Sequence, residues 1–160
     1  MAESSKEGMS RAKWLRQVAN LLNLSTPLGL LLAALSRTPV ERGPDGLLLG
    51  TGYRPRLPLA GAFTVGNVIF YRADRTFIDS RPTLLAHEAV HSTQYALCLG
   101  LPFLPLYGFC AVYSLWRTGD PGSRNLFERG AGLAAGGYRE LPTKARFRRR
   151  PSIPPTEGAL

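Results

Sequence analysis

A chain of 160 residues with 44% hydrophobic side chains has the length of one domain and enough apolar material for a core of ordinary size. Its 20 Lys and Arg against 11 Asp and Glu leave a net charge of +9. Much of that excess lies between 139 and 160, and no aromatic interleaving, zinc-finger spacing or RNA-binding signature accompanies it, so no specific nucleic-acid partner is expected.

In chain order, residues 1–10 are polar and read as a flexible N-terminus, and Ser10 to Leu22 carries basic residues and Trp14 on an amphipathic helical pattern. Leu28 to Leu35 is apolar after Pro27. A secretory leader is the lesser reading, because Asn20, Asn23 and Pro27 interrupt it and no small-x-small cleavage site follows. The alternatives are a helix covering the core or one lying on the inner leaflet of a membrane. Residues 39–61 are punctuated by Gly and Pro, with one short strand expected at Leu47–Leu49. Ala62 to Tyr71 is rich in β-branched and aromatic residues around a Gly66-Asn67 turn and reads as a strand pair.

A helix is expected from Thr83 to Cys98, with Asp79 or Ser80 as N-cap, Pro82 in the first turn, and Gly100 and Pro102 ending it. Tyr95 to Trp116 carries no charge, but Gly100, Pro102 and Pro105 break it. They leave Phe103 to Trp116 as a helix of ~21 Å, short of the ~30 Å hydrocarbon core of a bilayer. A buried core helix or a surface-lying apolar hairpin is therefore expected. Cys98 and Cys110, both in this apolar region, read as small hydrophobes rather than as a disulfide or a metal site. Thr118 to Gly122 reads as a turn and Asn125 to Gly132 as a helical segment. Residues 139–160, ending in an Arg- and Pro-rich run, read as a disordered basic tail.

Both histidines of the chain fall in one string, His87-Glu88-Ala89-Val90-His91, which reads H-E-x-x-H. Random placement of two His and seven Glu would give that arrangement about once in two thousand chains, so accident is a poor explanation. On a helix the i, i+4 spacing sets the imidazoles one turn apart on one face, where both can reach one Zn²⁺. Glu88, about 100° further round, flanks the ion without binding it and can address a metal-bound water. A hydrolytic zinc site needs a third protein ligand and an open position for water. With no His left, that ligand is a carboxylate. Glu128 is preferred, in a helical segment followed by small residues that allow close approach. Asp120 competes, and a turn role also accounts for it.

His87, Glu88 and His91 with a Glu on a later helix resemble the zincin metallopeptidases in their gluzincin arrangement. More narrowly, HEAVHSTQYALCLGLPFLPLY and NLFERGAGLAAGGY are similar to a group of small bacterial zincin-like proteins, over residues 62–138. The resemblance implies Zn²⁺ held by His87, His91 and Glu128, with Glu88 as the general base of peptide-bond hydrolysis. It also implies an edge strand before the motif that pairs with extended substrate, against the alternative of a core hairpin that shields the helix. Gluzincins often carry an Asp four residues after the Glu ligand to orient a His, and Gly132 stands there instead. Tyr138, Tyr95 and Arg124 are the candidates for an oxyanion donor.

The expected protein is thus a single α+β, mainly helical zincin-like domain over 11–138, with a small twisted antiparallel sheet before the HExxH helix. Its expected partner is a peptide or protein substrate, with an anionic membrane surface as a second candidate and the cytoplasm or inner membrane face as its place. Two rival expectations are a non-catalytic metal-binding protein with a closed site, Asp120 filling the water position, and a basic membrane-peripheral or nucleic-acid-binding module.

Overall fold

The computed structural model describes residues 9–144, so residues 1–8 of the expected flexible N-terminus (1–10) and residues 145–160 of the expected tail (139–160) lie outside the described residues. Two helices open the chain, α1 (Arg11–Leu22), capped by the Ser10 side chain, and α2 (Ser25–Ser36). Four short strands follow: β1 (Val40–Arg42), β2 (Leu48–Gly50), β3 (Ala62–Val65) and β4 (Val68–Tyr71). The remainder is helical: α3 (Arg75–Asp79), α4 (Pro82–Leu97), α5 (Phe103–Thr118) and α6 (Leu126–Ala131). The architecture is α+β, as the sequence indicates.

The sheet is mixed rather than wholly antiparallel, which corrects the sequence expectation. Its order is β1-β2-β4-β3, with β2 and β4 parallel and the other two pairs antiparallel. Residues 51–61 carry the chain past the neighbour position to the outer edge. The Gly66-Asn67 turn then folds β4 back between β3 and β2. Gly66 has φ 63°, the positive value that a two-residue hairpin with Gly in first place requires. Strand β1, hidden in the loop-rich stretch, was not legible in the sequence.

Strand β4 is central, and all four of its side chains are buried. Period-2 alternation sends Val68 and Phe70 to one side, against Ala33, Tyr53, Tyr95 and Phe103. Ile69 and Tyr71 go to the other, against Leu47, Leu49 and Ile78, with Leu84, Leu85 and Ala89 of α4 covering them. Burying each such aliphatic or aromatic side chain contributes about 1.5–3 kcal/mol. The unbroken apolar run Val68-Ile69-Phe70-Tyr71 reflects burial on both faces.

A buried polar cluster ties four elements together. Asn20 of α1 donates through Nδ2 to Asn67 Oδ1 at 2.9 Å and to the Ser92 carbonyl of α4 at 2.8 Å. Ser92 Oγ donates to Asn67 Oδ1 at 2.9 Å, Asn67 Nδ2 donates to the Gln17 carbonyl, and the Asn67 amide donates to Thr26 Oγ1 of α2. Asn20, Asn67 and Ser92 are each almost wholly inaccessible to solvent. Ser92 follows His91, so the cluster fixes the helix that carries the motif.

Three further local expectations are corrected. Asp79 and Ser80 do not cap α4: they close α3, where Asp79 pairs with Arg75 at 3.0 Å and Ser80 donates to the Phe77 carbonyl. Helix α5 is not a core helix, because only Phe103, Ser114 and Thr118 are buried along it, and the surface-lying reading is the one that holds. Residues 139–144 pack on the domain, past its expected boundary at 138. The Leu141 amide donates to Ser123 Oγ at 2.7 Å and the Lys144 amide to the Arg117 carbonyl at 2.9 Å.

Replacing Asn67 by Ala removes the acceptor shared by Asn20 Nδ2 and the Ser92 hydroxyl in the interior, and the expected loss is about 2–3 kcal/mol. An unchanged urea midpoint for Asn67→Ala would contradict this role.

Candidate metal centre

Helix α4 places His87 and His91 one turn apart, and α6 approaches with Glu128, all three more than nine-tenths buried. Their atoms converge: His87 Nε2 to His91 Nε2 is 3.1 Å, His87 Nε2 to Glu128 Oε2 is 3.3 Å, and His91 Nε2 to Glu128 Oε1 is 3.6 Å. Bonds of ~2 Å in a tetrahedral site require ligand atoms about 3–4 Å apart. Among the described residues this is the one group of three or more His, Cys, Asp or Glu side chains with metal-ligand spacing.

The tautomers follow from the outer hydrogen bonds. His87 Nδ1 lies 3.2 Å from the Ala131 carbonyl and 3.1 Å from the Gly132 carbonyl, and a carbonyl only accepts, so Nδ1 carries the proton. His91 Nδ1 lies 2.8 Å from Gln94 Oε1. Gln94 Nε2 donates to the Phe127 carbonyl at 2.9 Å, which turns its oxygen toward the ring. Both Nδ1 atoms are thereby donors, and both Nε2 lone pairs face the Glu128 carboxylate. Glu128 Oε2 is buried and receives no hydrogen bond. Three electron-pair donors facing one another in the interior require a cation between them, either a proton on an imidazole or a metal ion. The donor set fits a metal ion, and His87, His91 and Glu128 could hold one.

The charges respond to this crowding. Burial works to raise the Glu128 carboxyl; when the cation among the three groups is an imidazole proton, hydrogen bonds from His87, His91 and Tyr107 outweigh burial and lower its pKa to about 2. Burial works to lower His87, yet its contact with Glu128 and the charge of Glu88 hold it above the usual imidazole value. Glu88 is raised above the ordinary carboxyl range, chiefly by burial, although Thr64 Oγ1 donates to its Oε2 at 2.7 Å. Tyr107 Oη donates to Glu128 Oε1, and Tyr138 neighbours that hydroxyl.

Asp120 is not part of the group. Its Oδ1 accepts from the Gly122 and Ser123 amides at 2.9 and 2.7 Å, closing the turn before α6, so it fills no fourth position. Arg124 and Arg129 pair with Glu140 at 3.6 and 2.9 Å, which leaves Glu128 free to point inward. Of the three oxyanion candidates, Tyr95 and Tyr138 line the cleft beside the histidines, whereas Arg124 is held at Glu140. Thr64, Gln94 and Tyr107 were missed. Gln94 stands three residues after His91 on the motif's own helix, but nothing local marks Thr64 or Tyr107.

The cleft over this group measures about 950 Å³ and is lined by Phe63, Thr64, Leu104, Tyr107 and Tyr138 around His87, Glu88 and His91. Strand β3 runs along it as the outer strand of the sheet. The Gly132–Gly137 turn closes one side, and a Cβ on Gly136 would stand 2.6 Å from His87 Nε2. No family model, curated protein or solved structure matches this chain.

Gly136→Ala pushes a methyl group onto the metal-facing nitrogen, and an affinity loss of about tenfold or more is expected in competition with a chromophoric chelator. The metal-free protein should show a narrow stability optimum. Glu128, depressed from 4.5 to about 2, contributes stability above pH 4.5 that is lost as pH falls toward 2. His87, raised above 6.5, contributes stability below pH 6.5 that is lost as pH rises through its folded value. Melting temperature without metal should therefore peak between pH 4.5 and 6.5, and saturating metal should shift the peak upward. An identical pH profile with and without metal would contradict this account.

Proposed function

We propose that the protein is a zinc-dependent peptidase of the zincin type, with His87, His91 and Glu128 as ligands and Glu88 as general base. One observation carries the reading: the three ligand atoms lie 3.1–3.6 Å apart with both imidazole tautomers set for coordination, and Glu88 faces the same cleft. Three protein ligands are the number a catalytic zinc site uses, leaving a position for water, whereas structural sites use four. Zinc so held supplies Lewis-acid polarisation of a carbonyl and a water acidified toward neutrality.

The protein's own groups account for the rest. Glu88, raised by burial, takes a proton more readily than an ordinary carboxylate and can return it to a leaving amine. The Thr64 hydroxyl holds its carboxylate in one orientation. Tyr107 fixes Glu128, and Tyr138, next to it on the cleft wall, is the better placed of the two tyrosine candidates for a developing oxyanion. The free edge of β3 offers main-chain groups to an extended peptide, in the manner of strand addition. The mostly apolar lining favours hydrophobic side chains beside the scissile bond.

The purified protein should hold one equivalent of zinc, lost in His87→Ala. Wild-type protein loaded with zinc should cleave a peptide library, and Glu88→Gln should retain zinc while losing about 10²–10⁴-fold in rate. Cleavage undiminished in Glu88→Gln, or a folded wild type that binds no metal, would overturn the proposal.

A further inference from the structure

Two helices carry their apolar side chains on the wrong side for a water-exposed protein. Helix α2 turns Ser25, Thr26, Gly29 and Ala33 to the core, and Gly29 packs so closely that a Cβ there would stand 2.6 Å from the Val65 carbonyl and 2.9 Å from a Val68 methyl. Leu32 packs against the core, but most of the leucines point outward: Leu24, Leu28, Leu31 and Leu35 form an exposed i, i+4, i+7, i+11 stripe, and Leu35 is 75% exposed. Helix α5 repeats the pattern. Phe103, Ser114 and Thr118 face inward, while Phe109, Val112, Tyr113 and Trp116 share the opposite side, and Phe109 is 82% exposed.

These surfaces are joined. The α1–α2 turn meets the α4–α5 turn where Gly100 abuts Asn23, and exposed Leu22, Leu24, Leu97, Leu99 and Leu101 flank that contact. Leu28 of α2 and Leu104 of α5 both line the mouth of the metal cleft. A continuous apolar face of this extent marks an interaction surface. Its charge surroundings indicate which one. The described chain ends at Lys144, whose Nζ donates to the Leu115 carbonyl on α5, and Arg146, Arg148, Arg149 and Arg150 follow within six residues. An apolar helix face edged by Trp and Tyr, with Lys144 against it and four arginines following in sequence, combines the two signals that hold a peripheral protein on anionic lipid. No single described helix is long and apolar enough to cross a membrane, and α1 and α2 meet that measure only as a pair bent by 68°.

We propose that the face formed by α2, the α4–α5 turn and α5 docks on an anionic phospholipid bilayer. A second copy of the chain would cover the apolar area equally well but gives the arginines no counter-charge. The test is co-sedimentation of the full-length protein with phosphatidylcholine vesicles, with and without phosphatidylglycerol. Binding should require phosphatidylglycerol and weaken with salt. It should fall about tenfold in Phe109→Ser/Val112→Ser and about a hundredfold when the four arginines become Ala. Phe109 and Val112 are exposed, and circular dichroism of both variants should show an unchanged fold. His87→Ala should bind vesicles normally, which separates this proposal from the metal reading. Failure to sediment with anionic vesicles, equal binding to pure phosphatidylcholine, or a dimer in light scattering that Phe109→Ser/Val112→Ser dissolves would each overturn it.

Discussion

Two imidazoles buried one turn apart, each with its outer nitrogen committed as a donor, leave two lone pairs and a carboxylate facing one another with nothing neutral to separate them. Electron-pair donors packed this closely repel in a low-dielectric interior unless a cation sits among them. The parts that impose the arrangement come largely from one short stretch. Residues 126–136 supply the carboxylate of Glu128, the carbonyls that hold His87, the Phe127 carbonyl that aims Gln94, and the glycine that lets the chain pass close to His87. Gly132 shows how such a stretch substitutes for a missing side chain. Its backbone carbonyl, with that of Ala131, takes the His87 Nδ1 proton, so no side chain is needed to orient the ring.

The sheet and the N-terminal helix serve that site by immobilising α4. Asn20, Asn67 and Ser92 bond to one another from three elements, so α4 cannot rotate without breaking several buried hydrogen bonds. Thr64 of the outer strand reaches both the carboxylate and the carbonyl of Glu88, which locks the strand to the residue that would act as base. The mixed topology matters here. Because β4 folds back inside β3, the strand left at the edge is the one lining the cleft.

The same compact core explains the outward leucines. A small sheet covered closely by α2 needs small residues at the contact, and Gly29 and Ala33 meet that need. The bulky residues of the helix then have only the outside left to occupy. Sequence periodicity registers an apolar helix in α2 and α5 but not which side of it is apolar toward what. A helix apolar all round reads as buried until its neighbours are known.

Residue order alone determined the strongest part of the chemistry. The HExxH spacing on a breaker-free helix sets two imidazoles one turn apart with a carboxylate between them in sequence, the lack of any further His leaves a carboxylate to complete a metal-binding group, and the Gly66-Asn67 turn is legible from its residue types. Tertiary structure decided whatever depends on approach between distant segments. Whether Asp120 or Glu128 turns inward rests on Glu140 drawing off both arginines and on two amides capturing Asp120. Gln94 sits one turn after His91 on the motif's own helix, but Thr64 and Tyr107 come from a strand and another helix, and no local pattern announces them. The parallel β2–β4 pair and the exposure of α5 likewise follow from how the chain crosses itself. Spacing along a helix is a local constraint that a sequence carries, whereas burial and partnership are set by what the rest of the chain packs against.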